Sequence, residues 1–189
     1  MVRLILASGS PRRAEMMARI TNEFMIVVPD IDEFMQEGES PEKMAVRLAM
    51  EKAHAVVSKT ENKLPVLAAD TIVVHDRVLG KPENEEDACK MLNELADDSH
   101  YVITGVAIIN PENGKELLFI EKTEVFFGPI EDEEIREYVQ GGEPMDKAGA
   151  YGIQGEAGRF ITKINGCFYN VMGFPLNRIY NGLKELDII

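Results

Sequence analysis

Several short segments of this chain carry side chains whose types and spacing suit chemistry on a phosphate. In Ala7-Ser-Gly-Ser-Pro-Arg-Arg13 two hydroxyls and two guanidinium groups fall in one run. Ser10 stands at an N-cap position with Pro11 at the first helical position, which marks a helix start. The free N–H groups of a helix N-terminus carry roughly half a positive charge and bind phosphate. Ser8 and Ser10 add hydroxyl donors, and Arg12 and Arg13 add planar donors matched to phosphate oxygens. Cations in a first helical turn oppose the helix dipole, a misfit that a bound anion would remove. The competing reading is an ordinary capped helix with solvent-facing arginines. The run is neither a Walker loop nor a dinucleotide fingerprint.

A second segment, Leu67-Ala-Ala-Asp70-Thr71-Ile-Val-Val, places a carboxylate inside an otherwise apolar strand. That placement is costly unless the carboxylate is paired or binds metal, and functional carboxylates often have this profile. Leu79-Gly-Lys81-Pro82 follows after one expected hairpin, so Asp70 and Lys81 could share a cleft; a residue before proline favours extended backbone. Lys52 lies on a predicted helix and is anonymous by itself. Asp30, Asp32 and Glu33 crowd carboxylates behind a strand, where they suit a hard cation or simply form a solvated acidic loop. In Lys147–Gly158, glycines recur at Gly149, Gly152, Gly155 and Gly158, allowing close approach of a ligand. Gln154 there offers a donor and an acceptor, as reading a base edge requires. The plain alternative is an irregular loop with turn glycines.

The elements that must position these groups alternate at first. The pattern predicts a strand at Arg3–Ala7, then a helix from Pro11 with Ala14, Met17, Ala18 and Ile20 as its apolar stripe. A strand at Phe24–Val28 and the acidic loop Asp30–Glu39 follow. Ser40-Pro41 opens a helix to about Ser58, and Val66–Val74 is a buried strand. Asn84 caps a helix whose apolar positions are Ala88, Met91, Leu92 and Leu95. Tyr101–Ile109 and Leu117–Phe127 form two long strands joined by a turn. A short helix at Glu131–Val139, the glycine-rich region Gly141–Gly158, a strand at Phe160–Ile164 and a helix at Pro175–Leu186 complete the chain. This order predicts a mixed α/β fold, a central sheet with flanking helices.

With 189 residues, 45% of them hydrophobic, the chain fits a single domain over 1–189 with a substantial core. No apolar run approaches the about 20 residues of a membrane span. The N-terminal apolar stretch is too short for a signal peptide, and its basic residues follow that stretch. Cys89 and Cys167 are far apart and His54, His75 and His100 are scattered. A Cys/His metal site and a disulfide framework are therefore not expected, which suits a reducing cytoplasm. The net charge of −13 argues against nucleic acid or an anionic membrane as partner, while leaving room for a small polyanion in a locally basic site.

Taken together, ASGSPRR, DIDE, RLAMEKA around Lys52, AADTIV, LGKP, CKMLNEL, HYVITGV, GEPMDKAGAYGIQG and NVMGFPL resemble, in order, the Maf family of septum-formation-protein-like nucleotide pyrophosphatases. The resemblance spans nearly the whole chain. It implies a mixed α/β fold of two lobes around a cleft. It also implies hydrolysis of nucleoside triphosphates to monophosphate and pyrophosphate with a divalent cation (Mg, Mn or Co), and a possible homodimer. Asp70 takes the family's catalytic acid/base position. Ser8, Arg13, Lys52 and Lys81 take phosphate-handling positions, and Glu33 the acidic cleft position, so that Glu33 and Asp70 are the implied metal ligands. Arg12, Thr71 and Gln154 match positions linked to base choice. The SPRR form resembles the branch acting on dTTP and UTP. The branch preferring 7-methyl-GTP usually carries a tryptophan in this loop, and this chain has no tryptophan. The chain departs from the family pattern at Asp97-Asp98 and at Phe174. Two rival functions remain at this level: nucleotidyl transfer, which would need a second substrate, and a non-catalytic nucleotide-binding regulator of cell division.

Overall fold

The computed structural model describes residues 3–60 and 63–189. Its elements are β1 (Leu4–Ala7), α1 (Pro11–Ala18), β2 (Phe24–Ile26), α2 (Pro41–Lys59), β3 (Val66–Val74), β4 (Val78–Leu79), α3 (Glu85–Leu95), β5 (Ser99–Asn110), β6 (Lys115–Phe127), α4 (Asp132–Gln140), β7 (Ile161–Asn165), α5 (Phe168–Val171) and α6 (Leu176–Glu185). The strands form one sheet in the order β2-β1-β3-β5-β6-β7, with β4 paired to β3. β1 runs parallel to β2 and β3, whereas β3–β4 and β6–β7 are antiparallel. The fold is thus mixed α/β, as expected. Among the described residues, no helix is long and apolar enough to cross a membrane.

The chain divides into two compact units, Met1–Asp70 with Thr104–Glu121 and Gly173–Ile189, and Thr71–Ile103 with Lys122–Met172. Three of the boundaries fall inside β3, β5 and β6, and the fourth falls between α5 and α6.

In the first unit, α2 covers one face of the sheet. Ala49, Ala53 and Val56 pack on Ile5, Ala7, Val66, Ala68, Ala107 and Ile109. Small residues let this helix lie close. A Cβ on Gly105 of β5 would overlap the backbone of Ala45 and Val46 in α2. Backbone cannot rotate aside, so only glycine permits this approach. Gly105→Ala should destabilise the protein by about 1–3 kcal/mol, the usual cost of overpacking, and lower its melting temperature by several degrees. An unchanged melting temperature would contradict this packing. Ile108 points to the other face, where it meets the position of Gly182 in α6.

In the second unit, α3 and α4 contribute Leu92, Leu95, Ile135 and Tyr138 to a core with Val73, Leu79, Val102, Val125 and Phe127. The four apolar positions expected in α3 are all buried. Tyr151 lies in the same core and shares a hydrogen bond of 2.7 Å with the buried His100. Burial pushes the His100 imidazole down to about 4, so it is neutral at pH 7.

Some boundaries differ from the sequence reading. α1 buries Met16 and Met17, adjacent positions that straddle its inner face, while Ala18 is exposed and Ile20 lies beyond the helix. β2 stops at Ile26, where its register with β1 ends, and Val28 is exposed. The glycine-rich region is not shapeless: it folds into 3-10 turns at Glu143–Asp146 and Glu156–Phe160, with a left-handed turn through Gly149 and Ala150 between them. Asp97, one of the departures from the family pattern, sits at φ 58, a left-handed setting that aspartate accepts better than most residues.

Candidate active site

Three of the sequence-marked residues meet on one ammonium group. Lys52 falls on the stripe of α2 that faces the sheet, with Ala45, Leu48, Ala49, Ala53 and Val56. A cation on such a face needs a partner. It finds one in Asp70, which alternation along β3 places on the side of Val66 and Ala68, the side that α2 covers. Lys52 Nζ donates to Asp70 Oδ1 at 2.5 Å, and both side chains are more than nine-tenths buried. The same ammonium lies 2.7 Å from Oε1 of Glu33, which comes from the acidic loop and is about half exposed. Removing one member of a buried pair leaves the other charge uncompensated, a penalty of about 3–5 kcal/mol.

Arg13 approaches this group from α1. Its Nε donates to the Gly173 carbonyl at 2.9 Å and its Nη1 to the Ala69 carbonyl at 2.7 Å. Loss of solvent lowers its pKa, while the charges of Asp70 and Glu33 oppose that shift and Arg12 adds to it. Arg13 therefore feels the charges of Asp70, Glu33 and Arg12. Ser8 is buried, and its hydroxyl accepts the Ser10 N–H at 3.1 Å. The Ser10 hydroxyl accepts the Arg13 N–H, the N-cap expected from sequence. The segment NVMGFPL has a role that its residue types do not announce: its Gly173 carbonyl holds Arg13. Nothing in a glycine's identity signals a carbonyl acceptor so distant in sequence.

Thr71, Lys81 and Gln154 belong to the second unit. Thr71 leaves β3 on the side opposite Asp70, since successive strand residues alternate. The expected hairpin is present: Val73 pairs with Leu79 and Val74 with Val78. The pairing ends with β4 at Leu79, two residues before Lys81. Lys81 itself is exposed, and the Gly80 carbonyl beside it accepts the Gly149 N–H at 3.0 Å. This bond ties the Lys81 turn to the glycine-rich segment. Gln154 is exposed in that segment. Glu143 braces the neighbouring turn, accepting from Tyr138 Oη and the Glu156 N–H, each at 3.0 Å. Its carboxylate occupies the space that a Cβ on Gly155 would need.

Among the described residues, no group of three or more His, Cys, Asp and Glu side chains is arranged to hold a metal ion. The donor set at Lys52 nevertheless suits a hard divalent cation. Glu33 and Asp70 converge on one positively charged atom, and Mg²⁺ is typically held by one or two carboxylates, with water and substrate phosphates completing its shell.

The family model described as Maf-like protein matches residues 3–186. The chain belongs to the Maf family. Maf relatives match it across nearly its full length. A protein of Geobacillus sp. (strain WCH70), named dTTP/UTP pyrophosphatase, is 48% identical over 187 residues, covering 98% of this chain and 99% of that one. One of Alkaliphilus metalliredigens (strain QYMF), with the same name, is 45% identical over 179 residues, covering 95% and 93%. Among solved structures, the Staphylococcus aureus Ham1 protein shares the fold, with a TM-score of 0.54, 15% identity, and coverage of 96% and 98%.

Proposed function

We propose that this Maf-family chain hydrolyses dTTP and UTP to the monophosphate and pyrophosphate. The observation that carries this reading is the buried Lys52–Asp70 pair, with Glu33 on the same ammonium, in a chain 48% identical to a relative named for that activity. The oxygen of a water molecule bonds to the α-phosphorus, and the bond from that phosphorus to the α,β-bridging oxygen breaks. The bridging oxygen leaves with pyrophosphate. Asp70 orients the water and takes its proton, while Lys52 fixes the carboxylate in place. Arg12, Arg13 and Lys81 offset the charge of the triphosphate in a chain of net charge −13, and Ser8 donates to a phosphate oxygen. Glu33 and Asp70 would hold Mg, Mn or Co, which supplies charge neutralisation on the phosphates and polarises the water. Thr71 and Gln154 read the base.

The products test this reading. Assays specific for pyrophosphate and for orthophosphate should detect only the former as the primary product. In ¹⁸O-labelled water the label should enter the monophosphate. Primary release of orthophosphate and a nucleoside diphosphate would sink the proposal.

A further inference from the structure

The acidic loop that carries Glu33 has no regular secondary structure through Gln36. Its attachment to α2 centres on one residue that the mechanism above does not use. The Nη2 of Arg47 donates to the Phe34 carbonyl at 2.9 Å, the residue directly after Glu33. Nε and Nη2 of the same guanidinium grip both carboxylate oxygens of Glu39, at 2.7 and 2.8 Å. Nη1 donates to Glu51 one turn further along the helix, at 3.1 Å. Glu39 also caps the loop internally, accepting the Gln36 N–H at 3.2 Å while its own N–H donates to the Gln36 carbonyl at 3.1 Å.

One guanidinium thus closes both ends of the segment Phe34–Glu39. Its side chain is 18% exposed and that of Glu39 only 9%, so this is no solvated surface pair. Only arginine can do this, because it presents donors in a rigid planar fork where lysine offers a single point charge. Lys52 and Arg47 stand on the same helix, about 7.5 Å apart along its axis at 1.5 Å per residue. The adjacent loop residues Glu33 and Phe34 bond to these two positions respectively. Fixing the Phe34 carbonyl therefore fixes where the Glu33 carboxylate can reach.

We infer that Arg47 is a positioning residue that acts through Glu33, clasping the acidic loop to α2 so that Glu33 is delivered to the Lys52–Asp70 pair. The inference rests on the placement of Glu33 in the active site proposed above. Outer-shell partners of this kind typically cost about 10–100-fold in activity when removed.

The test is a double-mutant cycle on the full chain, with kcat/KM for dTTP measured in Mg²⁺ and thermal unfolding recorded for each variant. Arg47→Ala, Arg47→Lys and Glu33→Gln should each slow turnover about 10–100-fold. Arg47→Lys keeps the charge and supplies the test if Arg47→Ala does not fold. Combining either Arg47 substitution with Glu33→Gln should cost less than about twofold beyond Glu33→Gln alone, because residues acting as one unit are not additive. Multiplied effects would mean that Arg47 acts independently of Glu33 and would overturn the inference alone. Wild-type turnover in Arg47→Lys would show that charge suffices and would overturn it too. Wild-type turnover in Glu33→Gln would remove Glu33 from the active site, and this inference would fall with it.

Discussion

Asp70→Asn should lower kcat by about 10²-fold or more while the protein remains folded. The magnitude is that of removing a positioned general base, typically about 10²–10⁴-fold. Asparagine keeps the shape of the side chain and can still accept a hydrogen bond from Lys52 through its amide oxygen. It can neither take a proton from water nor contribute a full negative charge to a divalent cation. Folding should survive because Lys52 is not left alone: Glu33 lies 2.7 Å from the same ammonium. The converse change is harsher on stability. Lys52→Met would leave the Asp70 carboxylate, 4% exposed, without its 2.5 Å partner. Steady-state kinetics with a thermal melt on each variant separate the two outcomes. Near-normal turnover in folded Asp70→Asn would take Asp70 out of the mechanism.

Much of this architecture is legible in the sequence, and the reasons are local. β3 keeps the ends its pattern predicts, because an apolar run rich in β-branched residues, with Pro65 before it and the polar turn His75–Arg77 after it, has few other uses. α2 and α3 are marked by Ser40-Pro41 and Asn84, whose side chains do accept from the third residue of each helix. Asp70 stands out because a carboxylate in an apolar strand requires an explanation. Its partner does not: Lys52 looks like any helical lysine until its phase against Ala45, Ala49 and Val56 places it on the buried face. The two-residue strand β4 and the four-residue helix α5 are too short for any periodicity to register. The 3-10 turns of the glycine-rich segment depend on tertiary bracing, such as Glu143 against Gly155, and Ala150 is held there at φ 60. The clasp of Arg47 on Glu39 and Phe34 is equally silent, since a backbone carbonyl leaves no trace in residue identity. Only its i, i+4 pair with Glu51 can be read from the helix itself.

The largest selectivity effect should appear in the base. kcat/KM for dTTP and UTP should exceed that for GTP and 7-methyl-GTP by up to about 10⁴-fold, the range reached when a site built to hydrogen-bond one edge receives another. Thymine and uracil present an acceptor–donor–acceptor edge, and the amide of Gln154 carries one donor and one acceptor to match part of it. A mismatched base would leave those protein groups unpaired after desolvation, which is the origin of the penalty. The segment that carries Gln154 is fastened at several points. Gly149 bonds to Gly80, and Glu143 holds the Glu156 N–H and Tyr138. A braced loop loses little entropy on binding, so the hydrogen bonds it forms count more fully toward discrimination. Gln154 is exposed, so water that stays beside the base would satisfy the abandoned groups and shrink the ratio. The measurement compares kcat/KM for dTTP, UTP, CTP, GTP and 7-methyl-GTP, and repeats the series for Gln154→Ala. In that variant the pyrimidine preference should narrow by at least about tenfold, while the rate of hydrolysis of the poorest substrates changes little. A purine triphosphate as the best substrate would refute the dTTP/UTP assignment. An unchanged ranking with unchanged ratios in Gln154→Ala would show that Gln154 does not read the base, and would leave Thr71 as the next residue to test.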